Sequence, residues 1–62
     1  MELLRENFLR TYANVPIGLR DDVILVLEDS GPISWNVAYL EIKNNTELSG
    51  KILEAMRSLK LI

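Results

Sequence analysis

Val23-Ile24-Leu25-Val26-Leu27 places five apolar residues in a row inside a chain of only 62 residues. A half-exposed strand alternates apolar and polar residues, so an unbroken apolar run predicts a strand covered on both faces. Asp21-Asp22 ahead of the run and Glu28-Asp29 behind it act as gatekeepers against unwanted pairing. Two or three short helices from so small a chain are hard pressed to cover both faces of a sheet. A second copy of the chain, or another partner, is the economical cover.

Size points the same way. A domain this small buries only about 60% of the surface its unfolded chain exposes. Small folds therefore draw help from disulfides, a metal or association. The chain has neither Cys nor His, which removes disulfides and the usual zinc ligands together. Association is the aid that remains. A hydrophobic content of 48% agrees, since some of that material belongs at an interface.

Charge narrows the partners. Nine acidic residues against seven basic give a net charge of -2. The basic excess or stripe of a free-standing nucleic-acid binder is absent. The opening Met1-Glu2-Leu3-Leu4-Arg5 carries an acid where a signal peptide needs a basic region. The longest apolar run is far short of the roughly 20 residues that span a bilayer. The expectation is one domain over residues 1–62, soluble and cytoplasmic, with no membrane and no nucleic acid bound on its own.

Periodicity supplies the elements. Leu4, Phe8, Tyr12 and Val15 recur at helical spacing, widened by Leu3 and Leu9, and predict a helix over 2–13. Glu2, Glu6 and Arg10 fall opposite, with Glu6 and Arg10 oriented for an ion pair. Asn14 and Pro16 end this helix, because a residue before proline leaves the α region. Residues 17–20 form a short connector with room for one helical turn. Ser30-Gly31-Pro32 is a turn by its chemistry, after which Ile33 returns as a brief hairpin strand. Residues 35–42 read either as strand or as helix. The set Trp35, Ala38, Tyr39 and Ile42, with Ser34 placed as N-cap, favours helix. Asn44-Asn45 breaks the chain, and Thr46 caps a last helix with Glu47 in its first turn and Lys60 in its last. Leu48, Ile52, Ala55, Leu59 and Ile62 form a heptad seam over two repeats, flanked by Leu53 and Met56. It suits packing on a sheet or against a symmetry mate.

Chemistry-bearing motifs are few. Nucleophilic catalysis needs a base beside the nucleophile, usually His, so the chain reads as no enzyme and as needing no cofactor. Asp21, Asp22, Glu28 and Asp29 could hold a divalent cation only if both strand ends converged; adjacent residues on an extended backbone point opposite ways. Ser49-Gly50-Lys51 resembles the end of a phosphate-binding loop, but it lacks the preceding glycine and lies inside a helical pattern. Asn44-Asn45-Thr46 fits a glycosylation pattern and is more simply a helix break followed by a cap. An exposed Trp35 would make a binding anchor. Its helical face with Ala38, Tyr39 and Ile42 favours instead a core plug between the strand and the last helix, and Tyr12 and Tyr39 read the same way. Arg5, Arg10 and Arg20 could form a small basic patch near the first helix. Glu2, Glu6, Asp21 and Asp22 lie among them, and solubilising surface is the favoured reading.

The stretch from Pro32-Ile33-Ser34-Trp35 through Glu41-Ile42-Lys43-Asn44-Asn45-Thr46-Glu47-Leu48 resembles short, uncharacterised proteins of prokaryotes, thermophiles among them. The resemblance covers the C-terminal half and implies a small stand-alone prokaryotic protein. It transfers no catalytic or binding residue.

The expected fold is α+β: an N-terminal helix, one main strand with a short hairpin return, then two helices packed on one face of a minimal sheet. The expected role is that of a homodimeric interaction or structural module. Its interface would be formed by Val23, Leu25 and Leu27 of the strand and Leu48, Ile52, Ala55 and Leu59 of the seam. The alternative is an antitoxin-like or accessory regulatory protein that binds a larger partner. A carboxylate and divalent-metal enzyme is a third reading, requiring Asp21, Asp22, Glu28 or Asp29 to meet in a cleft.

Overall fold

The computed structural model describes residues 2–62; Met1 and the side chain of Glu2, and with them the expected outer position of Glu2, lie outside the described residues. Helix α1 spans Glu2–Ala13, one 3-10 turn spans Ile17–Leu19, strands β1 and β2 span Val23–Leu27 and Gly31–Ser34, and helices α2 and α3 span Trp35–Lys43 and Glu47–Ser58. The two strands form an antiparallel pair. The fold is α+β, with the expected order of elements and the helical form of residues 35–43.

One cluster of buried side chains holds these elements together. Phe8 of α1, Leu25 of β1, Ile33 of β2, Ala38 and Ile42 of α2, and Ile52, Leu53 and Met56 of α3 all meet in it. Its aromatic border is continuous. The Phe8 ring lies 6.0 Å from both Tyr12 and Trp35, and Tyr12 stacks on Tyr39 at 4.5 Å. Trp35, Tyr12 and Tyr39 are half-buried against the core, as their helical positions predict. Trp35 packs on the shared core, its ring beside Phe8 of α1. Of the two residues expected to widen the α1 stripe, Leu9 does so, half-buried against the core with Leu4 and Tyr12, while Leu3 is exposed.

Polar contacts fix the joints. The Tyr12 hydroxyl donates to Asn36 Oδ1 at 2.8 Å, and Asn36 Nδ2 donates to Asp21 Oδ1 at 2.7 Å. The Asn36 amide donates to the Arg20 carbonyl at 2.9 Å. Asn36 thus ties α1, the approach to β1 and the start of α2 into one network. Arg20 lies 4.4 Å above the Tyr12 ring and donates to the Val15 and Tyr12 carbonyls. That occupation takes it out of any basic patch with Arg5 and Arg10. The ion pairs among the described residues are Lys51–Asp29 and Arg57–Glu54; the expected Glu6–Arg10 pair does not form.

The helix ends follow local chemistry. The Ser34 hydroxyl accepts from the Val37 amide and the Thr46 hydroxyl from the Ser49 amide, each satisfying a donor in the first turn that the helix leaves unpaired. At the end of α2, Asn45 has a φ of 54°. Its amide bonds to Ile42 and that of Thr46 to Glu41, the paired pattern that closes a helix on a left-handed residue. The end of α3 repeats it with Lys60 at a φ of 59°, its amide on Arg57 and that of Leu61 on Met56. Lys60 therefore lies beyond α3, not in its last turn. A lysine held there is strained by its Cβ. Lys60→Gly is expected to raise stability by about 1 kcal/mol, or about 4–8 °C in a thermal melt; a lower melting temperature would contradict this geometry.

The hairpin departs from the sequence reading in two places. The reversal is made by residues 28–30, while Gly31 and Pro32 already belong to β2. Gly31, at a φ of 75°, takes the left-handed conformation that closes the turn, which a glycine adopts without steric cost. The second departure is in β1. Val23 lies opposite Ser34, Leu25 opposite Ile33, Val26 opposite Pro32 and Leu27 opposite Gly31. Ile24 is an extra residue, a β-bulge. It turns Ile24 and Leu25 inward together and leaves Val23 and Val26 outside, giving the order exposed, half-buried, buried, exposed, half-buried along the strand. The apolar run predicts cover on both faces; the chain itself covers one.

Candidate interaction surface

The residues expected at an interface divide once the fold is known. Leu25 and Ile52 are core residues, and Leu27, Leu48 and Ala55 are half-buried against that core. Only Val23 and Leu59 are exposed, and they lie on different elements. The heptad seam is thus consumed inside the molecule from Leu48 to Ala55, and only its end at Leu59 is open. A helix packed within its own chain and a helix packed on a symmetry mate show the same spacing, and here α3 packs against α1 and α2 of its own chain.

What the chain leaves open is the outer side of the hairpin. Val26 is 71% exposed and Val23 57%. Val23 faces Ser34 across the ladder, and the Ser34 hydroxyl accepts from the Val37 amide. Helix α2 follows β2 directly and carries exposed aliphatic residues of its own. There Val37 is 41% exposed and Leu40, three residues on, 53%. Leu19 is also exposed, in the turn whose carbonyl accepts from the Asp22 amide just before β1. Val37 and Leu40 were not singled out from sequence. Their signal was present, since two aliphatic residues at i, i+3 remain once Trp35, Ala38, Tyr39 and Ile42 are assigned to the core.

Charges frame β1 at both ends. Asp21 accepts from Asn36, and Asp29 pairs with Lys51 at 3.4 Å. Asp22 and Glu28 are exposed and take part in no ion pair or side-chain hydrogen bond among the described residues. The four acids do not gather around a common point: no group of three or more metal-ligating side chains forms among the described residues.

A cavity of about 190 Å³ lies between Arg5, Ile42 and the first turn of α3. The side chains of Arg5, Thr46 and Ser49 in its lining are engaged within the chain. Arg5 Nε donates to the Ile42 carbonyl at 3.4 Å, and the Thr46 hydroxyl donates to Glu41 Oε1 at 2.7 Å while accepting from Ser49. Glu47 adds negative charge at its rim. Ser49-Gly50-Lys51 lies within α3, so no phosphate-binding loop is formed.

The chain matches no family model, no curated protein and no solved structure. Among the described residues, no helix is long and apolar enough to cross a membrane.

Proposed function

We propose that the chain is a small protein-interaction module that works as a homodimer, closed over the outer face of its hairpin and the adjoining surface of α2. The observation that carries this reading is the exposure of Val23 and Val26 side by side on a strand whose other face is core. Exposed aliphatic residues scattered singly are normal, whereas a contiguous group marks a contact site. An interface of standard size takes about 800 Å² per partner, about a fifth of this molecule's 4211 Å² surface. Val23, Val26, Val37 and Leu40 would form its dry centre and the acids at the strand ends its solvated rim. A two-fold axis is the commonest way for two copies to meet, each offering the same patch.

On this reading the protein acts by binding, not by catalysis, and needs no cofactor. It works in the cytosol, where a chain without cysteine is indifferent to reducing conditions. Light scattering behind a sizing column, across a dilution series, tests it. The expected mass is twice the 7.1 kDa of one chain at tens of micromolar. A mass of one chain at every concentration would overturn the homodimer.

A second reading, that of an accessory protein seated on a larger partner, is favoured by the unpaired acids Asp22 and Glu28 at the two ends of β1.

A further inference from the structure

The outer edge of β1 differs from its outer face, and backbone chemistry decides what it can do. Pro32 has no N–H to give, so the Val26–Pro32 pair is one in which neither residue bonds to the other. The N–H and C=O of Val26 consequently point away from β2, toward the free edge of β1. No turn, loop or helix hydrogen-bonds to Val26 among the described residues. On the other side of the sheet, Pro32 leaves the outer edge of β2 without a donor at its centre. Of the two edges, that of β1 is the one able to accept another strand.

The charges decide which strand. Asp22 stands just before β1 and Glu28 just after it, both exposed and free of ion pairs among the described residues. Two copies of β1 paired edge to edge would lie about 4.8 Å apart. In the antiparallel arrangement Asp22 of one copy would meet Glu28 of the other; in the parallel one each acid would meet its own counterpart. Like charges placed opposite each other are unfavourable in a ladder, so both registers disfavour self-pairing. The same acids favour a segment with cations at its ends, in either direction.

We propose that the β1 edge binds an extended segment of another protein, aliphatic at alternate positions and carrying Lys or Arg at both ends, by strand addition. Backbone bonds at Val26 supply the pairing, and Asp22 and Glu28 supply the selection. The site refines the accessory reading above and uses the edge of the sheet, leaving the face to the homodimer.

The probes are two synthetic peptides of alternating Val and Thr, one ended by paired lysines and the other by paired glutamates. Each is titrated into the full chain at low ionic strength, where surface charges are least screened. The lysine-ended peptide is expected to bind about tenfold more tightly and to slow hydrogen exchange at the Val26 amide. In the double variant Asp22→Lys with Glu28→Lys, both at exposed positions, the preference should reverse. Equal binding of the two peptides, an unprotected Val26 amide or no binding at all would overturn strand addition. The mass of the peptide-free protein, measured in the same samples, reports separately on the homodimer. A monomer that binds the peptide keeps this proposal and removes the dimer; a dimer that ignores it does the reverse.

Discussion

Phe8→Ala is expected to leave the chain unfolded at 25 °C. Phe8 is fully buried, and its ring bridges Tyr12 and Trp35 at 6.0 Å each, joining α1 to the start of α2. Removing a buried phenylalanine costs about 3–5 kcal/mol in transfer and cavity terms. A single core in a domain below about 70 residues rarely supplies more than about 3–5 kcal/mol in total. The loss therefore matches the whole margin, with no disulfide or metal to offset it. Circular dichroism should show no cooperative melt for this variant. Leu3→Ala, on the same helix but exposed, should melt like the parent within about 0.5 kcal/mol. If Phe8→Ala melted cooperatively within a few degrees of the parent, the single-core account would be wrong.

The second large effect concerns association. Val26→Lys should weaken the homodimer by about 30-fold or more while leaving the monomer folded. The side chain is 71% exposed in the single chain, so the lysine ammonium stays in water there and the core is untouched. At the centre of a dimer interface the same ammonium must lose its water or hold the copies apart, and central contacts are commonly worth about 2 kcal/mol or more. Ile52→Ala should behave in the opposite way. Ile52 is fully buried in the monomer, so its truncation costs about 2–5 kcal/mol of stability and acts on association only through folding. Thermal melts and sedimentation on the two variants separate these outcomes. A seam variant that dissociated the dimer without destabilising the chain would return the interface to α3.

The contrast between Ile52 and Val26 shows what could be read from the residues alone. Helix α1, the bounds of β1 and the caps at Ser34 and Thr46 were legible because local chemistry sets them: a spacing, a proline, a hydroxyl three residues ahead of an amide. The fold class follows from their order. The use of α3 was not legible, since heptad spacing describes one apolar stripe and is silent about what covers it. The bulge at Ile24 was hidden for a related reason. Five aliphatic residues in a row carry no polar mark to show which of them faces water, so the exposure of Val23 and Val26 became visible only with the pairing of Leu25 to Ile33. The left-handed Lys60 left no trace either, because glycine or asparagine is the usual sign of that geometry.

The proposed interaction surface lies on the hairpin and α2. The most direct test is an isotope-filtered NOE experiment on a mixed sample of labelled and unlabelled chain, which detects only contacts between copies. The account predicts cross-copy contacts at the methyl groups of Val23, Val26, Val37 and Leu40. Cross-copy contacts centred on Leu59 and the exposed end of α3, or none at concentrations where the mass is that of a dimer, would contradict it.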